Sequence, residues 1–125
     1  MFGFQKLDVW NKTIELADDV YRVTRGFPDY EKFALASQMR RAVVSLSSNI
    51  AEGSGRSSTR EFVRFVQIAY GSLMELVSQM QVCERQSFVA AESAQRLYEK
   101  SEEVARMLSG LKSSLERREE MRDER

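Results

Sequence analysis

Hydrophobic residues along the chain recur at alternating spacings of three and four positions, which is the period of a helix buried on one side. The pattern predicts four helices, at about residues 8–25, 29–53, 59–86 and 91–118. The first of these helices carries two apolar stripes, which together are wider than a simple bundle needs. One stripe contains Trp10, Ile14, Ala17, Tyr21 and Thr24, and the other contains Val9, Leu16, Val20 and Val23.

Turn-forming residues separate the predicted helices. Gly26 accepts a left-handed helix cap, and Pro28 disfavours helical geometry in the residue before it. The glycines within residues 53–55 break the second helix, and Ser58 with Glu61 forms a capping box for the third. Because the joints are short, neighbouring helices must run antiparallel. The predicted fold is an all-α, antiparallel, up-and-down four-helix bundle.

Charged residues lie near several predicted helix ends. Asp8 is expected to cap the first helix, and Asp29 and Glu31 are expected in the first turn of the second, where the helix dipole favours acidic groups. Residues 116–125 hold nine charged residues out of ten, four basic and five acidic. We interpret them as a helical extension with exposed ion pairs, and a partner-binding tail is the alternative.

The whole chain, residues 1–125, is predicted to be one domain.

The second predicted helix has three different faces, and little of it is built for plain exposure to water. One face is apolar and belongs in the core. The other two are a polar face and a face of small or apolar residues, and we predict that Val44, Ser47 and Ala51 on the latter belong to an interface between subunits. The polar face contains Gln38, Arg41, Ser45, Ser48, Asn49 and Glu52, and the small-residue face contains Ala36, Val44, Ser47 and Ala51, with Arg40 among them.

Several spaced segments resemble the bacterial four-helix-bundle family named for S23 proteins encoded by ribosomal intervening sequences. The resemblance covers nearly the whole chain. It is carried by Leu7 to Trp10, Val20-Tyr21 through Pro28, Arg40-Arg41-Ala42, Ser45, Asn49 to Gly53, and Glu61-Phe62 through Ala69 to Leu76.

The resemblance implies a ring-like homopentamer, with relatives encoded inside ribosomal RNA genes. More distant relatives are the accessory variability proteins of diversity-generating retroelements, which are similar to a basic nucleic-acid-binding scaffold that partners a reverse transcriptase. The family has no agreed activity. The residues that match its motif, which we interpret as structural, are Gln38, Arg41, Ser45, Asn49, Glu52 and Gly53.

The composition of the chain excludes many kinds of catalytic and metal-binding site. The chain has no histidine, which excludes serine triads, His-Glu zinc sites and Glu-x-x-His di-iron sites. Cys83 is the one cysteine, so no intramolecular disulfide forms, and without histidine to activate the thiol a packing role is favoured over nucleophilic catalysis. The sequence shows no signal peptide or membrane span. We therefore expect a cytoplasmic protein without cofactor, bound metal or membrane contact.

The polar face leaves three interpretations open. We favour a hydrogen-bonded network with a neighbouring helix or subunit, in which Glu52 pairs with Arg56 or Arg64. A small-anion active site made from Arg41, Asn49, Glu52 and Arg64 is an alternative. A third interpretation is carboxylate-only metal binding by Glu52, Glu61 and Glu75, which is less favoured than salt bridges.

Nucleic-acid binding depends on local arginines, because 19 basic and 19 acidic residues cancel in the whole chain. Repetition of an arginine cluster around a ring would multiply phosphate contacts. Glu52 and Glu61 lie among these arginines, so a solvated or subunit-bridging role is favoured for them. The candidate phosphate-binding residues are Arg40, Arg41, Arg56, Arg60 and Arg64.

The sequence therefore predicts a non-enzymatic, oligomeric four-helix-bundle scaffold. Its first expected partner is itself, as the pentamer that the family resemblance implies, and structured RNA or DNA with a polymerase-type protein comes next. A protein-interaction or structural scaffold without any nucleic-acid role is the alternative. A small-anion-binding enzyme is a distant third.

Overall fold

The computed structural model describes residues 1–123, which form four α-helices and two 3-10 turns and contain no strand. Each helix packs against two others in the cyclic order α1, α2, α3, α4, so the helices enclose one core. The prediction of an all-α four-helix fold is confirmed. The helices are α1 (Asp8–Thr24), α2 (Leu35–Ser54), α3 (Thr59–Arg85) and α4 (Ala91–Asp123), and the 3-10 turns are Gly3–Lys6 and Asp29–Glu31.

The centre of the core is filled by aliphatic side chains from all four helices. In α1, Leu16 and Val20 are fully buried, whereas Trp10 and Tyr21 of the other stripe lie at the boundary with solvent. Large aromatic rings with a polar atom fit such a boundary, because the atom can stay hydrated. The polar residue Thr24 is buried with its Oγ1 donating to the carbonyl oxygen of Val20 at 2.7 Å.

The second helix begins six residues later than the sequence predicts. Residues Asp29–Glu31 form a 3-10 turn, and α2 starts at Leu35 instead of residue 29. None of the residues of this turn is buried, so no apolar stripe holds the segment against the core as a helix would require. The carboxylate of Glu31 instead accepts a hydrogen bond from the backbone nitrogen of Leu35 at 3.4 Å, which helps to cap α2 from outside.

The first and third helices begin in different ways. Asp8 is the first residue of α1 and Leu7 is at the cap position without a side-chain hydrogen bond, so the prediction of an Asp8 cap is wrong. Ser58 does cap α3, because its Oγ accepts from the backbone nitrogen of Glu61 at 3.1 Å. A short Ser side chain in extended geometry can reach the free amide, whereas Leu7 has no acceptor to offer.

The fourth helix extends well beyond the last core residue. Leu115 is buried, and the helix continues from there to Asp123, eight residues further on. The predicted helical extension therefore exists as far as Asp123, and residues 124–125 of the predicted charged tail lie outside the described part. Although α4 has 33 residues, no helix within residues 1–123 is long and apolar enough to cross a membrane.

An ionic cluster joins α1 to α4 along their antiparallel contact. Asp19 accepts a hydrogen bond from Lys100 at 2.7 Å and another from Arg22 at 2.6 Å. Burial opposes ionisation of this carboxyl, but the two cations outweigh it and lower the pKa of Asp19 below its ordinary value. Lys12 and Glu103 form a second bridge between the same helices, with 3.4 Å between charged atoms.

Gly53 marks a close approach between α2 and α3. A methyl group at this position would lie 2.6 Å from Cβ of Phe65 and 3.0 Å from Cδ1 of Phe62. Such distances are too short for nonbonded carbon atoms, so only a residue without a side chain fits. Gly53 is buried, and its backbone packs directly against the rings of α3.

We predict that Gly53→Ala lowers the free energy of unfolding by about 1–3 kcal/mol, because the methyl group overpacks the contact with Phe65. Gly110→Ala is the matched control, since Gly110 is also inside a helix but has no atom within 4 Å of an added methyl group. This control should gain up to about 1 kcal/mol from helix propensity. Urea denaturation followed by circular dichroism measures both, and equal effects at the two glycines would contradict the packing argument.

Candidate interaction surfaces

The polar face of α2 lies partly against α3, where Ser45, Asn49 and Ser72 form a small hydrogen-bonded network. Ser45 Oγ and Ser72 Oγ are 2.9 Å apart, which joins the two helices directly. The side-chain nitrogen of Asn49 donates to the carbonyl oxygen of Ser45 at 2.8 Å and also lies 3.1 Å from its Oγ. Ser45 thus bonds to both Asn49 and α3, which is the structural role expected for half-buried polar groups at a helix contact.

The end of α2 is joined to α3 by a second set of contacts. Glu52 pairs with Arg56 at 2.8 Å, and the Arg56 guanidinium lies 4.8 Å from the ring centre of Phe65. Gly53 provides the close approach between them. The motif residues Glu52 and Gly53 thus hold the α2–α3 turn, whereas Gln38 and Arg41 remain exposed on α2.

The structure separates the five candidate phosphate-binding arginines into two groups. Arg40 and Arg41 lie in the first half of α2, and Arg56, Arg60 and Arg64 lie around the α2–α3 turn. Along α2, Arg41 and the end of the helix at Ser54 are thirteen positions apart, which corresponds to about 20 Å. The five arginines therefore do not form one patch.

Several of these arginines already contact other side chains. Arg40 Nε donates to Thr24 Oγ1 at 2.8 Å, and its guanidinium lies 4.8 Å from the ring centre of Tyr21. Arg60 approaches Glu119 of α4 at 4.0 Å. Arg41 and Arg64 are exposed and form no salt bridge with any residue of the described 1–123. Of the five arginines, Arg41 and Arg64 are therefore the most available to bind a partner.

The three predicted subunit-interface residues differ in their exposure. Val44 is 46% exposed and Ala51 is half-buried. Ser47 is buried and donates through Oγ to the carbonyl oxygen of Val44 at 3.0 Å. Ser47 is a packing residue of its own chain, so its surface contribution to an interface is small, and Val44 is the main apolar group available.

A groove of 560 Å³ opens beside Val44, between α2 and the neighbouring end of α1. The sequence predicts that Lys32 and Phe33 lie inside a helix, whereas both are exposed residues that precede α2. Residues 29–34 lack a stripe of apolar residues at helical spacing. That lack is the sequence signal that could have predicted the exposure of Lys32 and Phe33. The groove is lined by Tyr21, Lys32, Phe33, Ser37, Arg40, Arg41, Val44 and Ser45.

Two of the four residues of the predicted small-anion site already have partners within the chain. Asn49 is bonded to Ser45, and Glu52 is paired with Arg56, whereas Arg41 and Arg64 are exposed. Within residues 1–123, no group of three or more acidic or cysteine side chains is placed to hold a metal ion, including the carboxylates predicted as a candidate set, Glu52, Glu61 and Glu75.

Cys83 lies deep in the core. Its side chain is 1% exposed, and its Sγ donates to Sδ of Met39 at 3.3 Å. Burial disfavours the thiolate and raises the pKa of Cys83 to about 11. These contacts support the packing role that the sequence predicts.

Fold and surface together define a class of protein: a four-helix bundle whose motif residues join helices, with a basic and aromatic groove on its outer side. Residues 5–110 match the family described as 23S rRNA-intervening sequence protein. The chain belongs to this family, and the resemblance found in the sequence is confirmed.

A solved structure shows the same fold. It is the crystal structure, at 1.70 Å resolution, of a protein with unknown function from the S23 ribosomal protein family of Bacteroides thetaiotaomicron. The TM-score is 0.77 at 20% sequence identity, with 82% of this chain and 96% of that chain covered. At this identity the likeness concerns the fold alone. No curated protein is similar to the chain.

We predict that the Cys83 thiol of the native protein reacts very slowly with Ellman's reagent. At pH 8 a thiol with a pKa of about 11 is ionised to on the order of one part in a thousand, and burial also blocks the reagent. A Val82→Cys, Cys83→Ala double variant is the matched control, because position 82 is exposed on the same helix. Rapid labelling of the native wild type, at the rate of this control, would contradict a packed thiol.

Proposed function

We propose that the protein is a non-enzymatic scaffold that assembles with copies of itself through the outer side of α1 and α2. The observation that carries this proposal is the exposure of Val44. This aliphatic residue lies in the middle of α2, and its side chain is 46% exposed in the groove that Tyr21 also lines. Val44, Tyr21 and Phe33 line the same groove, and apolar groups gathered in this way gain free energy when a partner removes them from water.

A ring-like homopentamer is the assembly we propose. The stoichiometry is implied by the family resemblance, and membership of the family supports it. The apolar width of α1 supports assembly independently, because Trp10 and Tyr21 are left at the edge of the core.

Three observations support the absence of a catalytic function. The polar side chains Ser45 and Asn49 bond to each other and to α3. Glu52 is engaged by Arg56, and the Cys83 thiol is buried with a raised pKa. A nucleophile must be accessible and able to ionise, and the buried Cys83 thiol with its raised pKa is neither.

We predict that Val44→Asp leaves the chain folded but lowers the mass of the assembly toward 14.4 kDa, the mass of one chain. A carboxylate at this position would have to lose its hydration in the interface. Val82→Asp is the matched control, because Val82 is also 46% exposed but lies on α3. Light scattering measures the masses, and circular dichroism checks the fold. A Val44→Asp variant that assembles fully would exclude this surface.

A second candidate function is binding of structured RNA or DNA, beside a polymerase-type protein. Arg64 supports it, since the side chain is exposed and forms no salt bridge within residues 1–123. Arg60, four residues away on the same helix, is held only by a long 4.0 Å contact with Glu119. Repetition of this pair around a ring would add phosphate contacts that the neutral charge of one chain conceals.

If this second function is correct, the protein binds labelled structured RNA in a salt-dependent manner, and Arg60→Gln with Arg64→Gln weakens binding at every sequence tested. Loss of two phosphate contacts should lower the slope of affinity against salt by about two per chain engaged. Arg96→Gln with Arg106→Gln on the exposed side of α4 is the matched control. No binding at low salt would leave the protein-only scaffold as the function.

A further inference from the structure

The groove beside Val44 is basic. Lys32, Arg40 and Arg41 contribute three cations, and none of the eight lining residues is acidic. Asp29 lies 3.0 Å from Lys32, but this ion pair is exposed and contributes little to binding or stability. Arg41 is exposed and forms no salt bridge within residues 1–123. The groove therefore favours a partner that carries negative charge.

The apolar part of the groove favours a protein surface over a nucleic acid. Phe33 is 95% exposed, and Val44 lies on the same lining. One face of the Tyr21 ring is already covered by the Arg40 guanidinium, which Thr24 fixes in place. A single strand needs successive aromatic faces for base stacking, and here Phe33 is the one fully exposed ring of the lining. We therefore expect a partner surface that combines apolar side chains with carboxylates.

The outer side of α1 has this combination. Ile14 and Ala17 are half-buried there, and Glu15 and Asp18 beside them are exposed. Four positions separate Ile14 from Asp18, so their side chains lie about 40° apart around the helix and share one side of it. A partly exposed apolar strip bordered by carboxylates therefore runs along α1, within the residues 5–110 that match the family.

The charges of α1 leave a carboxylate available beside this strip. Residues 8–19 contain four acidic residues and one lysine, and the arginines of the helix region follow only at positions 22 and 25. Lys12 is shared between Glu15 and a glutamate of α4, and Asp19 is held by two cations. Asp18 forms no salt bridge in the part of the chain that the structure describes. A partner can therefore bind Asp18 without breaking an ion pair of its own chain.

One chain cannot place the strip of α1 in its own groove. Tyr21 of α1 is itself part of the groove lining, whereas Asp18 is not. Three positions separate these two residues, which turns Asp18 about 60° away from the groove wall around the helix. The strip and the groove therefore lie on adjacent sides of one bundle. A contact between two such different surfaces is head-to-tail, and it generates a ring when the rotation between copies closes.

We propose that the outer side of α1 of one copy, residues 14–18, docks in the basic groove beside Val44 of a second copy. The inference rests on the proposed self-assembly and names the two surfaces that make it. The carboxylate of Asp18 meets Arg41, and Ile14 packs against Val44 and Phe33. The contact buries exposed apolar groups on both copies, and it pairs a carboxylate with a guanidinium that have no salt bridge within one chain.

Exchange of the two charges tests the contact. Asp18→Arg and Arg41→Glu each place like charges together, so each should reduce the assembled mass toward the 14.4 kDa of one chain. The double variant restores opposite charges and the original net charge, so it should assemble again. Glu102→Arg and Arg106→Glu, exposed on α4, make the same changes in net charge and should keep the mass of wild type. Light scattering measures the masses, and circular dichroism checks the folds.

A zero-length cross-link tests the same contact in the wild-type protein. A carbodiimide joins a carboxylate to a lysine amine that touches it, and Lys32 is the lysine of the groove lining. Pairs of joined chains should therefore be linked between Asp18 or Glu15 and Lys32, as read by mass spectrometry of the digested pair. Lys32→Arg keeps the charge and should keep the assembled mass but lose this link. Lys6→Arg, at an exposed lysine outside the groove, is the matched control and should keep the link.

The outcomes separate this inference from the proposed function. Wild type that assembles while both single variants keep its mass would overturn the α1 contact and leave self-assembly intact. Failure of the double variant to recover, together with joined chains that carry no link to Lys32, would also overturn it. Wild type that stays at the mass of one chain would refute self-assembly itself and this contact with it. Loss of RNA binding in Arg41→Glu without any change in mass would assign the groove to nucleic acid instead.

Discussion

The structure depends first on how closely α2 and α3 approach each other at Gly53. These two helices make the most extensive contact of any pair in the bundle. The backbone of Gly53 rests on Phe65 at one end of that contact, and the Ser45–Ser72 hydrogen bond fixes its middle. The spacing of the two helices is thus set by one missing side chain and one polar pair, and α1 and α4 pack against a surface whose shape is already determined.

This use of the polar face explains which part of α2 is left for contacts outside the chain. Asn49 and Glu52 are committed to the α2–α3 joint, so they cannot also recognise a ligand without breaking it. The exposed side chains of α2 that remain free of these contacts include Gln38, Arg41 and Val44. The polar and small-residue faces of α2 therefore serve two purposes: one part contacts α3, and the other part lines the groove beside Val44.

Much of the fold could be predicted from the sequence because its signals are local. The apolar period of α3 and the Ser58 cap depend on residues within a few positions of each other, and both are observed. The start of α2 could not be predicted in the same way, because residues 29–34 have the composition of a helix and lack only a core to pack against. Tertiary packing decides that boundary.

The candidate site was less predictable, because its decisive partners are distant in the chain. Arg40 is fixed by Thr24, and Arg60 is reached by Glu119, and no spacing rule connects these positions. Ser47 and Val44 were assigned to one face, but a rotation of about 60° between them is enough to bury one and expose the other. The groove depends on Phe33, whose exposure follows from the late start of α2.

The α2–α3 joint also has a kinetic consequence. Its two helices are neighbours in sequence and are connected by a turn of only four residues, from Gly55 to Ser58. Closing so short a loop costs little chain entropy, so contacts of this hairpin can form before those that bring α1 and α4 together from opposite ends of the sequence. We therefore expect the hairpin to act as the folding nucleus, with the speed of folding controlled by the glycine on which the two helices meet.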